Sequence, residues 1–224
     1  MSDRVDQAPN GSDAAQRRAN VLPLDRFNAF SDGVFAIAIT LLVLEIAVPP
    51  LSAPLGPALR ELWPDFLGYL ISFGYIGGIW ISHSGLTRLM KRADPTAYGL
   101  NLLVLLFVAL LPFTTSLMVT HLSGPDVEIA VVVYGLNVLV ASLALSLLMF
   151  HVARQPHLLE DELAEDALER IYRRRWIAIG VGAFAVVLAF LAPLIAVATY
   201  LAVAVLYLVL PLLGMHRARR RAAQ

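Results

Sequence analysis

Apolar residues run along this chain in long stretches, and polar ones gather between them. The first stretch covers residues 27–48 and stops at Pro49-Pro50; the second covers 66–86, the third 100–122 and the fourth 129–152. The last, 176–213, exceeds one crossing and divides near Pro193 into two spans. A helix rises ~1.5 Å per residue and needs roughly 20 residues to cross the ~30 Å hydrocarbon core of a bilayer. The pattern therefore predicts an all-α integral membrane protein with six transmembrane helices per subunit.

Charge placement orients these spans. Arg4, Arg17, Arg18 and Arg26 precede the first, and Arg88, Lys91 and Arg92 follow the second. Arg154, Arg170, Arg173, Arg174 and Arg175 follow the fourth, and Arg217, Arg219, Arg220 and Arg221 follow the sixth; Arg60 alone falls on the other side. By the positive-inside rule both termini are cytoplasmic. The expected organisation is a disordered cytoplasmic tail (1–25), a six-helix transmembrane domain (26–214) and a basic cytoplasmic tail (215–224). The acidic stretch Glu160, Asp161, Glu162, Glu165, Asp166 and Glu169, ahead of its arginines, reads as a solvated linker. Residues 1–25 lack the apolar core of a cleavable signal.

Composition agrees. The chain is 58% hydrophobic with mean hydropathy +0.72, and 15% charged, against ~25% in soluble domains. The absence of cysteine excludes disulfides, thiolate catalysis and Cys-based metal sites.

The first span carries Asp32 beside Ser31, and a hydroxyl at Thr40. An ionised side chain in a membrane helix costs roughly 2.5–3.5 kcal/mol on insertion scales, which makes this segment the candidate site. At about 100° per residue, Phe30, Gly33, Ile37, Thr40, Leu41, Leu44 and Val48 share one face, and Asn28, Asp32, Phe35 and Ile39 the opposite one. Periodicity alone leaves three uses for the Ile37 stripe: lipid-facing surface, packed core, or the wall of a pore on an oligomer axis. If it faces an axis, Asp32 points back into its own subunit. Arg26, Trp80, His83 and Asn101 lie at matching depth, so one polar cluster holding the first helix to the second and third is expected. Gly74, Gly77 and Gly78 form a close-packing face, Asn137, Ser142 and Ser146 suit interhelical hydrogen bonds, and His121 and His151 read as interfacial.

The run Arg26-x3-Phe30-Ser31-Asp32, followed by Phe35-Ala36-Ile37-Ala38-Ile39-Thr40-Leu41-Leu42-Val43-Leu44-Glu45-Ile46, closely resembles the first-helix signature of the endosomal/lysosomal potassium channel family and its prokaryotic members. Supporting matches are Trp80-x2-His83, Asn101-Leu102-Leu103 and Leu110-Leu111-Pro112-Phe113-Thr114-Thr115. The resemblance covers residues 26–120. It implies single-repeat subunits that assemble as a homotetramer in the cell (inner) membrane, with the first helix lining a central pore. Conduction of K⁺ without a carbonyl filter is implied too, and no Thr-Val-Gly-Tyr-Gly-like loop occurs.

On that reading Ile37, Leu41 and Leu44 form a hydrophobic constriction that gates by dewetting, and Thr40 supplies the selective hydroxyl ring. Arg26, Phe30, Ser31, Asp32, Trp80, His83 and Asn101 form the structural network. The expected function is a potassium-preferring cation channel; the alternative is a proton-permeable channel or proton-coupled transporter using Asp32 and His83. An enzyme is disfavoured, since adjacent Ser31 and Asp32 diverge by about 100° and one His cannot serve both. The expected partners are K⁺, lipid and further copies of the chain, with no nucleic acid, no cofactor and no metal beyond passing K⁺.

Overall fold

The computed structural model describes residues 24–160, 176–177 and 179–222, with 210–222 as helical backbone. The expectations for residues 1–23 and for most of the charged linker, 161–175, lie outside the described residues. The elements are α1 (Leu24–Leu44), α2 (Leu55–Glu61), α3 (Trp63–Thr87), α4 (Pro95–Ala109), α5 (Leu111–Thr120) and α6 (Val127–Ala153). A 3-10 turn (Pro156–Leu158) follows, then α7 (Ile179–Ala189) and α8 (Pro193–Ala222). Among the described residues the only β pairing is a single bridge between Met90 and Leu159.

Three of these segments are long and apolar enough to cross a membrane: α1, α4 with α5 as one rod (Pro95–Thr120), and α6. The helix α3, over the expected second span, is comparably long at 25 residues. The helix α8 continues as backbone to Ala222, past the expected end of the sixth span and through the terminal arginines.

Prolines set the boundaries. The helix α1 ends a turn before the expected position, because Pro49 disfavours helical backbone at Val48 and its ring would press on the Glu45 carbonyl. The last donors tighten to i−3, Glu45 N–H reaching the Leu42 carbonyl (3.4 Å) and Ile46 N–H that of Val43 (3.3 Å). Pro112 removes a donor from the expected third span, so α4 and α5 meet at Leu110, which keeps helical backbone (φ −82, ψ −12). The chain turns at residues 190–192, and Pro193 opens α8. At the start of α4, Asp94 accepts from Ala97 N–H (2.7 Å) and Pro95 fills the first helical position, where a missing donor does no harm.

Packing is close where side chains are small. The helix α6 lies along α4 and α5, α3 along α8, and α1 crosses α3 and α4. Lipid tails solvate leucine as well as another helix does, so helix association rests on tight contact and hydrogen bonds. Gly74 and Gly78, four apart on α3, let α8 approach: a Cβ at Gly74 would stand 2.8 Å from that of Ala204, and one at Gly78 2.6 Å from the Tyr207 ring. Gly77, expected on the same face, has nothing within 4 Å.

Buried hydroxyls tie α3, α5 and α6. Thr115 donates its proton to the Leu111 carbonyl (2.6 Å), so Ser72 donates to Thr115 (2.6 Å) and Tyr134 to Ser72 (3.1 Å). Asn137 donates to Phe107 carbonyl and Thr114 hydroxyl, both at 3.2 Å, while Ser146 bonds within its own helix to the Ser142 carbonyl.

The loop after α3 is stitched to the end of α6. Lys91 N–H donates to Leu158 carbonyl (2.9 Å) and Glu160 N–H to Leu89 carbonyl (3.0 Å). His151, expected at an interface, also reaches the helix-capping carboxylate of Asp94 at 2.9 Å.

Candidate functional site

The two faces of α1 differ sharply. Phe27, Ser31, Phe35, Ala38 and Leu42 recur every three or four residues and are all buried. The stripe on the other side is open in the protomer: Ile37 is 60% exposed, Leu41 42% and Leu44 74%. Thr40 lies among them, and its Oγ1–H points to the Ala36 (3.1 Å) and Ile37 (2.9 Å) carbonyls of its own helix. The proton is thereby committed inward, and the oxygen lone pairs remain for an outside donor or cation.

On the buried face, Ser31 donates to the Phe27 carbonyl (2.8 Å) and accepts from the Asn101 amide of α4 (2.9 Å). The Asn101 carbonyl oxygen in turn accepts from His83 Nε2–H of α3 (2.8 Å), which fixes the proton on that ring nitrogen. The His83 ring stacks on Phe27 (5.8 Å between centroids, planes 8° apart) and meets Phe35 at 5.6 Å, both from α1. Tyr98 presses edge-on against Phe27 at 5.0 Å. All three polar residues are fully buried, and each makes a directional bond. An unpaired buried polar group would cost about 1–3 kcal/mol, so this Ser–Asn–His chain sets the mutual position of three helices.

A second tie runs beside it. Trp80 Nε1–H donates to the Asp32 carboxylate at 2.9 Å in a half-exposed position. Trp80 and His83 are one turn apart on α3, while Ser31 and Asp32 leave α1 about 100° apart. One tie fixes a distance; two ties diverging from the same helix also resist rotation about its axis.

Of the residues singled out in the sequence, Ser31, His83 and Asn101 come together in one group and Asp32 with Trp80 in another. No hydrogen bond joins Asp32 to His83, so the single cluster expected is two separate ties. Asp32 does bond into its own subunit, yet it remains exposed. Arg26 and Phe30 stand apart from both ties, lining a cavity beside Phe27, Tyr98, Asn101 and Leu102. Among the described residues no three His, Asp or Glu side chains gather at metal-binding distance.

Sequence reading missed the Ser72–Thr115–Tyr134 ladder and the Asp94–His151 pair. The Asp-Pro pair at 94–95 is a signal that could have marked a helix cap; nothing in the sequence marks that a histidine 57 residues later shares it.

The region that carries these ties lies within the span of a known family. The family described as endosomal/lysosomal potassium channel TMEM175 matches residues 26–112, which include both ties entire. A potassium channel of Streptomyces collinus is 40% identical over 141 residues, covering 62% of this chain and 68% of the relative. One from Chamaesiphon minutus is 39% identical over 155 residues, covering 66% and 76%. The crystal structure of a lysosomal potassium-selective channel TMEM175 homolog from Chamaesiphon minutus superposes with a TM-score of 0.75 at 32% identity, covering 83% of this chain and 96% of that one. With two relatives about 40% identical matched over 68% and 76% of their own length, and the fold matching along nearly the whole of the solved homolog, this chain belongs to the TMEM175 potassium channel family.

Proposed function

We propose that this chain is the subunit of a potassium-preferring cation channel in the cell (inner) membrane, conducting passively through a pore lined by α1. In this reading six helices cross the bilayer with both termini cytoplasmic, and four copies surround the axis. Residues 26–214 form the membrane unit, and 215–224 a basic end. The observation that carries it is the asymmetry of α1: Phe27, Ser31, Phe35, Ala38 and Leu42 are buried, and the Ile37–Thr40–Leu41–Leu44 stripe is open. Rings of Ile37, Leu41 and Leu44 narrow the pore and exclude water when it is closed. The ring of Thr40 oxygens, with protons turned to the backbone, replaces part of the hydration shell of a passing cation.

The two ties hold the rotation that keeps the stripe on the axis. Arg26 and Phe30 sit at the entrance of the same helix. Relatives named as potassium channels favour K⁺ as the permeant ion. The alternative, a proton route through Asp32 and His83, would have to join two groups that are hydrogen-bonded separately.

The test is the reversal potential of the purified chain in planar bilayers, first under a K⁺/Na⁺ bi-ionic gradient and then under a pH gradient. A reversal potential set by K⁺, with ohmic unitary steps, is expected. Proton-coupled flux in liposomes without unitary currents would replace this reading with the transporter one.

A further inference from the structure

Beside the first turns of α1 and α4 lies a cavity of about 340 Å³, lined by Arg26, Phe27, Phe30, Tyr98, Asn101 and Leu102. Its outer walls are apolar: Phe30 is 58% exposed and Leu102 54%. Its one full charge is Arg26. Among the described residues that guanidinium has no hydrogen bond or ion pair. The neighbouring Asp25 lies about 100° around the helix, and Asp32 is held by Trp80. The Asn101 amide donates to Ser31 and its oxygen accepts from His83, so the cationic donors of the cavity are those of Arg26.

An apolar track leads away from this charge. Leu102, Leu106, Leu110 and Phe113, three or four residues apart along α4 and α5, are all exposed. At ~1.5 Å per residue the track is about 16 Å long, close to the reach of a phospholipid acyl chain. A forked guanidinium matches a phosphate, and exposed hydrocarbon continuing from it matches a chain attached to that phosphate. A small hydrophilic anion would use the first feature and leave the second uncovered.

We propose that this groove is a binding site for an anionic phospholipid, its phosphate on Arg26 and one acyl chain along Leu102, Leu106, Leu110 and Phe113. Such a lipid touches α1 and α4 together and lies against Asn101, the residue that joins Ser31 to His83. Its binding stiffens the joint that holds the rotation of α1. On the orientation given under Proposed function, Arg26 and the lipid it holds lie in the cytoplasmic leaflet; the lipid contact itself does not rest on that orientation.

Native mass spectrometry of the full chain tests this, because it reads bound lipid and copy number together. Dioleoyl phosphatidylglycerol, dioleoyl phosphatidylcholine and inorganic phosphate are titrated in parallel. The assembled wild type is expected to retain phosphatidylglycerol in preference to phosphatidylcholine. Arg26→Gln should retain it about tenfold less, the size of losing one charge-assisted contact. Leu102→Trp, which fills the groove and keeps the guanidinium, should also lose it, and Arg26→Lys should recover part. If Arg26→Gln fails to fold, Leu102→Trp decides.

Unchanged retention in the variants overturns the proposal, as does equal retention of phosphatidylcholine. Displacement of the lipid by inorganic phosphate makes this a free-anion site instead. Retention by the protomer but not by the assembled oligomer assigns the groove to a second copy of the chain. Lipid retention needs no current and K⁺ current needs no retained lipid, so this reading and the channel reading fail separately.

Discussion

The two halves of α1 sit in one helix but are held in different ways. In the N-terminal half, Ser31 and Asp32 bond to α4 and α3, Phe27 stacks on the His83 ring, and Phe35 meets it at a tilt. In the C-terminal half, Ala38 and Leu42 supply buried contact, and Thr40, the one hydroxyl, turns back to its own backbone. Apolar contact in a bilayer discriminates weakly, since lipid competes for the same surface. Direction comes from hydrogen bonds, whose partners are scarce there. The N-terminal half therefore fixes how the helix is rotated, and the C-terminal half presents whatever that rotation exposes.

The sharpest check on this contrast compares two leucines of the same helix. Leu42→Ala should lower stability by about 2–5 kcal/mol, as for a buried leucine, while Leu44→Ala should stay within about 0.5 kcal/mol. Chemical denaturation of the purified chain reads both, and equal losses would erase the distinction between the faces.

Next in size is Asn101→Leu, which breaks two bonds and leaves the His83 N–H buried without an acceptor. A loss of about 1–3 kcal/mol is expected; a wild-type denaturation midpoint would show that apolar packing alone holds α1.

On the open stripe, Ile37→Asn should wet the constriction and raise unitary current several-fold in planar bilayers. An unchanged current removes Ile37 from the gate.

Asp32→Asn keeps an acceptor for Trp80 but removes the charge. Its effect should fall near the ~0.6 kcal/mol average of interhelical bonds in membranes, seen as weaker assembly in size-exclusion profiles before any change in permeation. Normal assembly with altered selectivity would move Asp32 from scaffold to pore. Smallest in stability is Thr40→Ala, which should leave denaturation unchanged and shift the K⁺/Na⁺ reversal potential toward zero. An unshifted potential would take Thr40 out of the selective ring.

Much of this was legible beforehand for identifiable reasons. Pro49-Pro50 and Pro193 mark where long apolar runs stop or divide, because a missing N–H acts locally whatever surrounds it. A 3.6-residue period marks the two faces of α1 for the same reason: the geometry belongs to the helix itself. The signature from Arg26 to Ile46, with Trp80-x2-His83, specified the family.

What the sequence could not supply is pairing between residues far apart in the chain. Asn101 turning to Ser31 and His83, Trp80 to Asp32, Tyr134 to Ser72 and His151 to Asp94 join positions 18 to 70 residues apart. Each depended on how closely, and at what angle, the helices that carry the two partners cross. The sequence by itself determined where the long apolar runs lie and which face of α1 is distinct. The tertiary structure alone decided that Asp32 and His83 belong to two ties instead of one cluster, and that Arg26 opens onto a groove. A hydrogen bond needs its partners within about 3 Å and in line, and only the packed helices set that distance.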